Sequence, residues 1–263
     1  QSVNPISRAF TVQVKLGNNS KLHPNMSCKM KIANYENSSA IIIPISITSS
    51  DSMTGLHRLL EESCNEIKIS SYAVRPQPVF QNAVVNTSIL FFIKTETPVT
   101  RIHMTKMYRK HKDISLDVLV KNLQFTDVIP RRLVGRYPKI GLQIEANILD
   151  KIFSRSITLG DLTQEEGSPI YYRTTGGRYY KVITPYSTGS TQETSVKFDT
   201  KVANAIGAIL SSSLFFWFYQ IFSDNLHIKL YEIESFKRIT FIGGRLFQNS
   251  GRTCPAANFV ENW

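Results

Sequence analysis

Residues 40–48 read AIIIPISIT, a short and almost wholly apolar run rich in isoleucine, and the fold class turns on how this stretch is read. An apolar run of strand length with β-branched residues is the pattern of a strand buried on both faces of a parallel sheet, so it is expected at the centre of one. The next residues have helical spacing. In SMTGLHRLLEES, residues 52–63, Met53, Leu56, Leu59 and Leu60 fall on one face, with Asp51 or Ser52 placed to cap it. Residues 66–73, EIKISSYA, read as a second strand and residues 84–95, VVNTSILFFIKT, as a third and longer one. Strand, helix, strand in that order predicts a doubly wound α/β sheet.

Outward from this centre the pattern loosens. Residues 101–108 read as an edge strand, the segment MYRKHKD carries a basic cluster, and Asp113 is placed to cap the helix ISLDVLVKNLQ. The run IPRRLVGRYPKIG holds two prolines and two glycines among basic residues and marks a domain boundary near Pro130. Beyond it, residues 140–153 read as a helix, and IYYRTT, RYYKVI, TSVKFD and HIKLYEI as strands, giving an α+β unit. Residues 205–222, AIGAILSSSLFFWFYQIF, are apolar over the length of a bilayer span, but three serines and a glutamine interrupt them, and a buried core helix is the expectation. From Arg238 onward no period is evident.

The chain has 263 residues with 31 Lys and Arg against 20 Asp and Glu, a net charge of +11 and a pI near 9.6. Its surface therefore carries a positive field that favours polyanions, with nucleic acid the leading partner class. Hydrophobic residues at 42% and aromatics at 11% are those of a folded globular protein. Cys28, Cys64 and Cys254 are odd in number and widely spaced, without a CxxC or His-Cys cluster, which argues against a disulfide framework or a zinc site and suggests a reducing cytoplasm. QSVNPISRAF lacks the pattern of a secretory signal and begins abruptly, as a fragment does. His23, His57, His103, His111 and His227 have no metal-ligand spacing, no G-x-S-x-G occurs, and no nuclease-type carboxylate cluster stands out, so neither hydrolase nor nuclease is expected.

Residues 41–60 and 72–94 together, IIIPISITSS with its helix, then SYAVRPQPVF, then VVNTSILFFIK, resemble the later motifs of amino-methyltransferases that act on DNA adenine. IYYRTTGGRYYKVIT and LFFWFYQIFSDNLHIKLYEIESF resemble the target recognition region of Type IIG-like, restriction-modification relatives of that family. The resemblance runs from Ala40 to Phe236. It implies a partial doubly wound, methyltransferase-like sheet in residues 1–130, followed by a smaller α+β DNA-recognition domain in residues 131–263. It also implies double-stranded DNA as partner, base flipping, and S-adenosylmethionine as cofactor of the complete enzyme.

In such enzymes an N-P-P-[YF] segment holds the target amine. Here Asn4 and Pro5 match its first two positions, while Ile6 and Ser7 replace the rest, so the match is a degenerate remnant or chance. No glycine-rich cofactor loop occurs. Gly176-Gly177 and Gly243-Gly244 lack a following capped helix, and the cofactor half-site is expected upstream of this chain or on a second chain. The resemblance places Arg75 and Phe80 in the loop beside the base pocket, with Phe80 a stacking candidate or else a core residue. In residues 171–181, YYRTTGGRYYK, basic and tyrosine residues alternate around a Gly-Gly turn. Arg173, Arg178, Tyr179, Tyr180 and Lys181 are DNA-binding candidates there, against the alternative of a structural hairpin. His227 and Lys229 share one face of a predicted strand, facing DNA or water. Arg131 and Arg132, with Arg136, sit in the basic boundary segment and are candidates for phosphate contact or a solvated linker. The functional expectation is the DNA-gripping portion of an adenine methyltransferase, inactive alone. The alternative is a catalytically dead DNA-binding specificity or regulatory subunit.

Overall fold

The computed structural model describes residues 2–4, 9–11, 31–35, 38–80, 83–96, 101–175 and 183–238. Asn4, Arg75, Phe80, Arg131, Arg132, Arg173, His227 and Lys229 fall within them; Pro5, Arg178, Tyr179, Tyr180, Lys181 and both glycine pairs lie outside the described residues. In chain order the strands are β1 (Ser2–Asn4), β2 (Ala9–Thr11), β3 (Lys31–Tyr35), β4 (Ser38–Pro44), β5 (Cys64–Tyr72), β6 (Thr87–Lys94), β7 (Ile102–Tyr108), β8 (Thr126–Asp127), β9 (Thr163–Arg173), β10 (Ile183–Thr184) and β11 (Glu193–Phe198). The helices are α1 (Ser46–Ser49), α2 (Thr54–Ser63), α3 (Leu116–Lys121), α4 (Gln143–Phe153), α5 (Thr200–Leu210), α6 (Ser213–Phe222) and α7 (Leu230–Glu234).

The fold is mixed α/β, but its main sheet is not the parallel one the sequence suggested. Six strands lie in the order β3-β4-β6-β5-β7-β8, and only β5 and β7 are parallel neighbours. The described part of the β5–β6 connection carries no helix, so β6 turns back antiparallel between β4 and β5 instead of crossing over. β4 lies second from the edge and is mostly half-buried, and it stops at Pro44, which has no N–H to extend a ladder. Residues 46–49 coil into α1. β7 is covered on its far side by β8 and is not an edge.

Capping also differs from the expectation. α2 buries His57 and Leu60, while Leu59 is 58% exposed, and neither Asp51 nor Ser52 caps it. Ser115, not Asp113, caps α3, its Oγ accepting from Val118 N at 3.3 Å. The apolar run at 205–222 is two helices bent by 70°, because Ser212 starts a new helix by accepting from Phe215 N. No single helix among the described residues is long and apolar enough to cross a membrane. HIKLYEI is not a strand: residues 226–229 are extended coil leading into α7.

A second sheet, β10-β9-β11, packs on α5, and one buried cluster runs from Ile47 through Val128, Tyr137 and Ile140 to Phe236. The segment read as a boundary is among the most buried in the chain. Residues 135–140 are all buried, and Tyr137 N donates to Thr48 O at 3.1 Å. Gly135 makes this possible with φ +68° and Asp51 Cα only 2.6 Å from where a Cβ would stand. Gly135→Ala combines left-handed backbone with a backbone clash, so a loss of more than about 1 kcal/mol is expected in urea unfolding. A neutral result would contradict the tight approach.

Candidate nucleic-acid interface

β4 and β5 each run antiparallel to β6, and β7 runs parallel to β5, so Pro44, Tyr72 and Tyr108 end three strands on one edge of the main sheet. Carboxyl ends of strands are where α/β folds gather ligand-binding loops. The loop after Tyr72 carries exposed Arg75 and is joined to the loop after Tyr108: Gln77 N donates to Lys110 O at 3.2 Å and Lys110 Nζ to Gln77 Oε1 at 3.3 Å. Around Lys110 stand exposed Arg109, His111 and Lys112, so two loops bring basic side chains to this edge.

Asn86 ties a third segment to it. Buried at the start of β6, Asn86 accepts from Val74 N at 2.9 Å and donates to Asp224 O at 3.0 Å, drawing in the connection between α6 and α7. The Asp224 carboxylate accepts from Leu226 N at 2.8 Å and His227 N at 3.0 Å, with His227 Nδ1 at 3.4 Å. Burial acts to raise the Asp224 pKa, but these N–H groups outweigh it and hold the carboxyl below its ordinary range. Asn225 makes the turn with φ 62°, a conformation asparagine tolerates better than most residues. The turn leaves His227 and Lys229 exposed on either side of buried Ile228.

Ile228 N in turn donates to Thr174 O at 3.1 Å, which seats this connection against the end of β9. There Arg173 is half-buried, paired in register with Glu193 of β11, and its Nε has no hydrogen-bond partner among the described residues. Hydrogen bonds therefore tie together the three distant segments of the chain that carry the candidates Arg75, Arg173, His227 and Lys229. Residues 178–181 lie outside the described residues.

Other candidates sit elsewhere. Arg131 is engaged internally: its Nε and Nη2 each meet the Asp150 carboxylate at 2.8 Å, and Nη1 donates to Asp127 O at 2.8 Å. Arg132 pairs with Glu61, which also accepts from the Tyr137 hydroxyl at 2.5 Å. Arg136 is buried between Asp51, at 3.0 Å, and Glu232, at 2.5 Å, with Tyr231 stacked at 3.9 Å. The basic boundary segment thus directs its guanidinium groups to carboxylates of its own fold. Phe80 is half-buried. Asn4 lies in β1 opposite Ala9. Asn86 and Asp224 were not singled out from the sequence, although Asp-Asn after an apolar helix is a turn signal that points to the second; the basic cluster of MYRKHKD was read, but not its link to the loop after Tyr72.

Among the described residues no group of three or more His, Cys, Asp and Glu side chains comes together as a metal site. Gly135 and Gly141 stand between β8 and α4, but the backbones of Asp51 and Gln124 already fill the space beside them, with Asp51 Cα 2.6 Å and Gln124 O 2.7 Å from where a Cβ would stand. These residues do not fit a cofactor loop. No family model matches the chain, and no curated protein matches it.

Proposed function

We propose that this chain is the DNA-binding, target-recognition portion of an S-adenosylmethionine-dependent adenine DNA methyltransferase, inactive by itself. The observation that carries the reading is that hydrogen bonds link the segments bearing Arg75, Arg173, His227 and Lys229 in a chain with net charge +11, with the 109–112 basic loop bonded to the first of them. The family resemblance supplies the enzyme class: β4 ends in Ile-Pro and leads into a helix, and the Arg75-Pro76 loop leads into β6, in the order that resemblance implies. On this reading the DNA-facing surface draws on Arg75 and the 109–112 loop from the main-sheet half and on Arg173, His227 and Lys229 from the half beyond residue 130. Since the described residues provide no cofactor loop, a second chain or a preceding segment supplies the S-adenosylmethionine site. The alternative reading is a catalytically dead specificity or regulatory subunit. Methyl transfer to duplex DNA on adding a cofactor-binding partner would exclude it.

The test is duplex binding by the whole chain across a salt series. Phosphate contacts make affinity fall steeply with salt. Replacing Arg173, His227 and Lys229 together by Ala is expected to weaken binding by on the order of tenfold and to lower the salt slope by about 1 for each phosphate no longer neutralised. If wild-type chain fails to bind even at low salt, the nucleic-acid reading is wrong.

A further inference from the structure

Lys139 is a lysine buried inside the fold. It is 2% exposed, and its Nζ lies 2.8 Å from Ile221 O and 2.6 Å from Ser223 O, while its backbone N donates to Ile221 O at 2.9 Å. One residue therefore holds the carbonyls of Ile221, near the end of α6, and Ser223, just beyond it, where the chain leaves for Asp224 and His227. An ammonium has three N–H donors and an uncharged amine has two. Two acceptors face Nζ among the described residues, so the surroundings suit the uncharged amine and would leave a third proton buried without a partner.

The charged groups around it are Asp224 from the α6–α7 connection, Glu232 from α7, and Arg136 from its own segment. Burial drives the Lys139 pKa down to about 7, with Arg136 adding to the fall and Asp224 and Glu232 opposing it. The Arg136 guanidinium is itself paired with Glu232 and Asp51.

We propose that Lys139 is a positioning residue: as an uncharged amine it pins the end of α6 and the 223–229 segment, and protonation releases that segment to solvent. The sign follows from linkage. In the pinned state Lys139 binds its proton far less tightly than in an opened state, where the ordinary value of 10.5 applies. Between about 7 and 10.5 the opened state therefore holds more protons. Pinning is strengthened as pH rises through that window, and below it the disadvantage is constant. The geometry of the pin is independent of the DNA reading; its consequence, that DNA affinity of the His227 edge is proton-linked, rests on that reading.

Hydrogen exchange on the full chain tests this without DNA. After correction for the intrinsic rate, protection of amides in residues 223–229 is expected to rise by up to about tenfold per pH unit between about pH 7.5 and 9.5. The buried strand residues Ile170 and Val196 serve as the reference and are expected to change far less. In Lys139→Met the pH dependence of the segment should disappear, which separates Lys139 from Glu232 and His227. A wild-type segment whose protection tracks the reference strands at every pH overturns the proposal even if the variant does not fold, and so does a folded variant that keeps the wild-type dependence. Absence of DNA binding in the salt series would instead count against the nucleic-acid reading alone.

Discussion

Arg136→Met is expected to lower the free energy of unfolding by about 3–5 kcal/mol, the loss found when one partner of a buried ion pair is removed. The side chain is 2% exposed, its Nη1 lies 2.5 Å from Glu232 Oε1, and Glu232 itself is 1% exposed. Without the guanidinium, the Glu232 carboxylate is left charged in a place with no water, or must take up a proton. Its pKa is already raised by burial, against the pull of Arg136, so the shift upward would grow. Urea unfolding of further variants separates this from simple loss of packing. Arg136→Met combined with Glu232→Leu should recover most of the loss, since neither charge of the pair is left buried without its partner. Arg131→Met breaks a pair whose Asp150 side chain is 49% exposed, and should change stability by less than about 1 kcal/mol. An Arg136 variant as stable as the Arg131 variant would mean that the pair is solvated.

Phe218→Ala is the second large effect. Phe218 is fully buried where α6 meets the C-terminal end of the described chain, its ring 4.9 Å from Phe236 in an edge-on arrangement and 4.8 Å from Phe222. Deleting a ring from such a cluster removes its transfer energy and leaves a cavity that neighbours on two elements cannot fill, a cost of about 3–5 kcal/mol. Ile144→Ala, on the 61% exposed side of α4, should change the free energy of unfolding in urea by less than about 0.5 kcal/mol. Comparable losses at both positions would mean that α6 is not a core helix.

Local pattern carried some elements and missed others for reasons that can be named. β5, β6, β7, α2 and α4 are where apolar periodicity places them, because each buries one face against a neighbour regardless of direction. Strand direction is not written in that periodicity, and so the parallel sheet expected from the isoleucine run became a mostly antiparallel one. HIKL alternates like a strand, yet the Glu232 carboxylate accepts from Lys229 N at 2.6 Å and turns the chain into a helix from Leu230 onward. The arginines at 131–136 read as solvated or phosphate-facing because the carboxylate partners of Arg136 are remote: Asp51 lies 85 residues away and Glu232 lies 96. The candidate interface was half legible. Arg173, His227 and Lys229 stood out by residue type, but only the Ile228–Thr174 and Asn86–Asp224 bonds, the second spanning 138 residues, place them with Arg75.

Those long spans also set an order of events during synthesis. Arg136 must wait for Glu232, 96 residues further on, which at roughly 5–20 residues per second is an interval of about 5–20 s on the ribosome. During that time Asp51 can reach the guanidinium, but the second carboxylate and the carbonyls that receive Lys139 do not yet exist. A topology dominated by such distant contacts folds slowly. The nascent first half therefore leaves the ribosome with apolar surface and a cation lacking one of its two carboxylates, both waiting on sequence that has not been translated.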